Sequence, residues 1–274
     1  MFPPAWLKRV RMTAIAIPYT SSGFAIAADG RQQWEHQPSR DAATRDNESD
    51  AAQKIFPIER RDATFAFTVS GDVASRDRLF DLGAEVRNQL TQLQRTRFCR
   101  ARGFMDALAE RVVGAIESAK GEGRIEQYPE SEIALAGYFR GSPCFVRIQF
   151  RRYGAGLRRE VIFGELQPGT WYWTGSYLIA QLVSEGDERF AEFCTPLDRD
   201  PSLLSLQAAT EFAIGYVRAC SSALARGLDP DCRRIGGHIH AAVVTPPDRS
   251  LRATIRRWLG RGSPGFQWIR RPLI

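Results

Sequence analysis

The apolar runs of this chain come in neighbouring pairs, and that order constrains the fold more than any single motif does. Residues 14–17 and 24–28 are short apolar runs either side of a polar turn that ends in Gly23, with Asp29 and Gly30 closing the second run. This reads as a β-hairpin. KIFPI at 54–58 and ATFAFTVSG at 63–71 form a second strand pair. Segments 73–97 and 104–120 then show helical spacing, as in Leu79, Leu82, Val86 and Leu90 or in Leu108, Val112 and Ile116. Strand runs follow at 131–139, 144–152, 159–166 and 170–174, helical text at 176–194 and 203–226, and a last strand at 237–244. Strand and helix do not alternate as βαβ units require. The pattern predicts an α+β fold with two antiparallel sheets and helices outside them.

Composition narrows the function. With 274 residues, 43% hydrophobic and 25% charged, the chain can bury a core and is not a disordered polymer. No apolar run approaches the roughly 20 residues of a membrane-spanning helix. Cys99, Cys144, Cys194, Cys220 and Cys232 form no CxxC pair, which excludes a zinc module and points to reduced thiols and a cytoplasmic location. His238 and His240 share one strand face but lack a third ligand, so no metal is expected. Of the 38 Lys and Arg residues only Lys8, Lys54 and Lys120 are lysines. The net charge of +7 is concentrated in 246–274, where seven arginines face Asp248. The body is therefore close to neutral, and nucleic-acid or membrane binding by the whole fold is not indicated. Residues 1–12 read as an extension or as a start site placed too early, since Met12 directly precedes Thr13; 13–245 reads as one domain, and 246–274 as a basic tail that packs on a neighbouring subunit or stays in solvent.

Each candidate residue is unremarkable alone. Thr13 begins a strand, Asp29 sits in a turn, Lys54 reads as a surface lysine and Gly71 as the turn after a strand. Together, Met-Thr, then AADGR with Asp29 sixteen residues after Thr13, then QKIFPI, then AFTVSGD occur in a telling order. The set resembles the proteasome-type peptidases of the N-terminal nucleophile hydrolase superfamily, which include the proteasome β subunits and the two-component bacterial heat-shock protease. The likeness covers about 13–75 well and 104–244 in element order.

That resemblance implies a four-layer αββα sandwich and an amide hydrolase without a cofactor. Thr13 would supply the hydroxyl nucleophile and its own α-amine the general base, since a free α-amine titrates at about 7.7–8.0. Lys54 would lie beside the hydroxyl, Asp29 would orient Lys54, and the Gly71 N–H would stabilise the oxyanion. Thr174, in WTGS, stands where the family has a serine that supports the amine, with a strand-end cap as the competing role. Asp231, in DPDCRRIGG, stands for the family aspartate with one residue extra, and Ile235 occupies the place of a serine. Thr13 becomes N-terminal through a start at Met12 followed by methionine removal, or through autolysis after Met12. The implied partners are a peptide or unfolded-protein substrate, further copies in a ring, and an ATPase whose involvement stays open. A catalytically inactive structural subunit and a small-amide hydrolase are the alternatives.

Overall fold

The computed structural model describes residues 13–30, 32–33, 48–49, 53–72, 74, 79–197, 204–246 and 266–268. The extension expected at 1–12 and most of the basic segment 246–274 lie outside them.

Two five-stranded antiparallel sheets form the centre. In the first, β1 (Ile15–Thr20) is flanked by β10 (Trp171–Thr174) and β2 (Gly23–Asp29), and β2 is followed by β11 (Ile239–Val244) and β12 (Phe266–Trp268). The second runs β5 (Ile55–Glu59), β6 (Ala63–Gly71), β7 (Ser131–Phe139), β8 (Ser142–Tyr153) and β9 (Gly156–Phe163) in chain order. A two-residue pair, β3 (Gln32–Gln33) with β4 (Glu48–Ser49), stands apart. Three residues from the basic C-terminal segment thus add an edge strand, with Ala242 paired to Trp268.

β1 and β2 are apolar on both faces because both faces are covered. Ile15 and Ile17 point into the space between the sheets, where they meet Phe24, Ile26, Ala66, Ala134, Ala136 and Phe145. Ala14 and Ala16, one residue out of phase, face a helical layer instead. That layer holds α3 (Tyr177–Glu185), α4 (Leu206–Ser221) and α5 (Ala223–Leu228). The opposite layer holds α1 (Leu82–Leu93) and α2 (Ala101–Gly121), whose Leu90, Phe104, Leu108 and Val112 pack on Phe65, Phe67, Ile133 and Val146. Helix, sheet, sheet, helix is the four-layer arrangement.

Element type agrees with the sequence reading, while boundaries shift where a cap intervenes. The helix expected from 73 starts at Leu82, because the Asp81 side chain accepts from the Ala84 N–H. The helix expected over 176–194 ends at Glu185 on Gly186, whose left-handed φ of 75° stops it. The helix expected over 203–226 breaks at Ser222, which has an extended backbone and caps α5 through the Ala225 N–H.

Candidate active site

Three strand ends meet at one corner of the sandwich. Thr13 stands just before β1, Asp29 closes β2, and Lys54 stands just before β5 in the other sheet. The β1–β2 register pairs Ile15 with Ala28, which brings Asp29 back beside the start of β1. All three side chains are buried: Thr13 is 4% exposed, Asp29 0% and Lys54 4%. Lys54 therefore departs from the surface role that a lysine takes by default.

Lys54 Nζ donates to Thr13 Oγ1 at 3.1 Å and to Asp29 Oδ1 at 3.4 Å. Asp29 Oδ1 also accepts from the Ala14 N–H at 2.9 Å, and Oδ2 from the Gly236 N–H at 3.3 Å. Burial raises the Asp29 carboxyl above its ordinary value, against the opposing pull of Lys54 and those two backbone N–H groups. A buried ion pair is often no more stabilising than well-packed apolar side chains of the same volume. Stability alone thus gives no reason for a lysine here, whereas an ammonium held against a hydroxyl has an evident chemical use.

The other expected residues arrive differently. Thr174 is buried at the end of β10, and its hydroxyl donates to the Thr13 carbonyl at 2.6 Å, not to the amine. Gly71 ends β6 at the edge from which Lys54 enters, since Thr68 pairs with Ile55. Its φ is 90°, and a Cβ there would lie 2.3 Å from the Glu130 carbonyl oxygen, so glycine is required. Asp231 is exposed on a 3-10 turn, Pro230–Arg234. The inward-reaching acid is Asp229, which caps that turn and accepts from the Ser176 hydroxyl at 2.5 Å.

Three contributors went unread in the sequence. Tyr216, fully buried on α4, donates to the Thr174 carbonyl at 2.9 Å and so holds the strand end that supports Thr13. A tyrosine on an apolar helix face carries no signal for such a role. Asp229 was visible in the DPD string, but spacing alone does not choose between two aspartates two residues apart. Gly236 was visible in the glycine pair. Among the described residues no cluster of three or more His, Cys, Asp or Glu side chains offers a metal site, and no helix is long and apolar enough to cross a membrane.

Three solved structures with a similar architecture are Anbu proteins. One, the Anbu (Gly-1) mutant from Hyphomicrobium sp. strain MC1, is 16% identical over 85% of this chain and 82% of that chain, with a TM-score of 0.50. A second, described as the helical assembly of the Anbu complex from Pseudomonas aeruginosa, is 15% identical over 89% and 92%, at 0.53. A third, Anbu (ancestral beta-subunit) from Yersinia bercovieri, is 15% identical over 85% and 81%, at 0.52. The chain shares their fold. No family model and no curated protein matches the sequence. The resemblance to proteasome β subunits is corrected accordingly: these neighbours are Anbu proteins with a proteasome-like fold, not the β subunits themselves. The motif residues fill one corner of the sandwich, so they report that corner and not the branch to which the whole chain compares.

Proposed function

We propose that the chain is a threonine-type amide hydrolase that cleaves peptide bonds, with Thr13 as the nucleophile once its α-amine is free. The observation that supports this is the Lys54 ammonium 3.1 Å from the Thr13 hydroxyl in a buried corner. In acylation the hydroxyl oxygen attacks the substrate carbonyl carbon, its proton moves to the α-amine, and the carbonyl π electrons move onto oxygen. The Gly71 N–H receives that oxyanion. Collapse breaks the C–N bond, the leaving amine takes the proton from the α-ammonium, and an ester remains on Thr13. Water then attacks the ester, again through the α-amine, and releases the acid. Lys54 disfavours protonation of the amine and favours the alkoxide, while Asp29 holds Lys54 in place.

Substrate would be a peptide or unfolded protein, and assembly of many copies accords with the Pseudomonas neighbour being described as a helical assembly. The five free cysteines accord with a cytoplasmic location. A second reading, an inactive structural subunit, is favoured by the Thr174 hydroxyl being committed to the Thr13 carbonyl.

The test uses chain produced with Thr13 at its N-terminus. It is expected to hydrolyse fluorogenic peptides and to be labelled at Thr13 by a peptide epoxyketone, and Thr13→Ala should lose about a thousandfold or more of the rate without unfolding. Turnover retained in Thr13→Ala would remove Thr13 from the chemistry. A folded protein that neither turns over nor labels is the structural subunit, and turnover of small amides alone changes the substrate class.

A further inference from the structure

We infer that the end of the sandwich away from Thr13 carries a binding site for a small oligophosphate anion. Lys54 precedes the five residues of β5 and Arg60 follows them, so the two lie roughly 17 Å or more apart along an extended strand. At the Arg60 end, the β5–β6 turn, the segment leaving α1 and the β7–β8 turn enclose a cleft of about 660 Å³. Arg60, Arg61, Arg95, Arg97 and Arg140 line it, against the single acid Asp62.

Two of these arginines build the cleft. The Arg60 guanidinium bonds Asp62 at 3.0 Å, donates to the carbonyls of Leu93 and Thr96, and lies over the rings of Phe98 and Phe104. Arg140, at a left-handed φ of 52°, donates to the Phe98 carbonyl at 2.8 Å. The carbonyls they hold belong to the segment that presents Arg95 and Arg97. Arg61, Arg95 and Arg97 are exposed and have no ion-pair partner among the described residues.

Gathering like charges in one cleft raises its potential and draws in counter-anions. Guanidinium forks match phosphoryl oxygens two at a time, which a diffuse or singly charged anion uses poorly. The volume falls within the roughly 300–1,000 Å³ of small-molecule sites. A compact, multiply charged phosphate fits charge and size together.

The experiment is calorimetric titration of the full chain with inorganic tripolyphosphate, repeated with ATP to separate a free oligophosphate from a nucleotide. The expected result is saturable binding of one anion per chain. It should weaken at least tenfold in the Arg95→Gln/Arg97→Gln variant and stay unchanged in Arg256→Gln/Arg257→Gln, with equal melting temperatures for all three proteins. Unchanged binding in the first variant, or loss in the second alone, overturns the assignment. So does single-stranded oligothymidylate binding tighter than tripolyphosphate and losing its affinity in the first variant, because the cleft would then serve nucleic acid. The reading of Thr13 as a nucleophile stands or falls separately.

Discussion

At Asp29 two effects oppose each other, because burial raises its carboxyl while Lys54 pulls the other way. An acid whose folded value is raised stabilises the fold below its ordinary value, and that stabilisation is lost as pH rises through the raised one. Wild type should therefore lose stability relative to Asp29→Asn as pH climbs from the ordinary aspartate range towards neutrality, read as the difference in urea midpoints. A difference moving the other way would mean that attraction to Lys54 outweighs burial. The resemblance named Thr13, Asp29 and Lys54 together, and the fold brings the three side chains to one corner. The partner of Thr174 was not legible, because a hydroxyl takes whichever acceptor the folded backbone presents, here the Thr13 carbonyl.

At the scale of single elements, glycines separate positions that need their freedom from positions that do not. Gly71 ends β6 at a φ of 90° with a neighbouring backbone oxygen 2.3 Å from where a Cβ would sit. Gly71→Ala should cost about 2–3 kcal/mol in urea unfolding, because strand ends held by nine paired residues cannot shift locally. Gly114 is the opposite case, exposed within α2 with nothing within 4 Å of an added Cβ. Gly114→Ala should raise stability by about 0.5–1 kcal/mol through helix propensity alone. Helix breaks obey the same local logic. Gly186 and Ser222 were both present to be read, yet apolar periodicity runs through them and conceals a stop that depends on a single residue's backbone.

For the molecule as a whole, the four layers sort the cysteines by depth. Cys144 sits under the α1–α2 layer and Cys194 under the α3–α4 layer, and burial pushes their thiols up to about 11 and about 12. Cys220, on the inner face of α4, and Cys232, on the 3-10 turn Pro230–Arg234, are buried, whereas Cys99 is exposed. In native protein at mildly alkaline pH a disulfide reagent should modify Cys99 rapidly, and the remaining four only on unfolding. Fast reaction of two or more thiols would show that one helical layer opens well below the global transition.

The sequence by itself determined the paired order of strands, the two helical blocks and the residue types gathered around Thr13. Those are local matters of periodicity, turn chemistry and residue identity. The tertiary structure alone decided that alternate residues of β1 face different layers, that Asp229 and not Asp231 reaches Ser176, and that Tyr216 holds Thr174. It also brought arginines from three separate chain reversals into one cleft. The physical reason is distance along the chain. Contacts between segments tens to hundreds of residues apart depend on how whole layers pack, and no window of sequence contains that information.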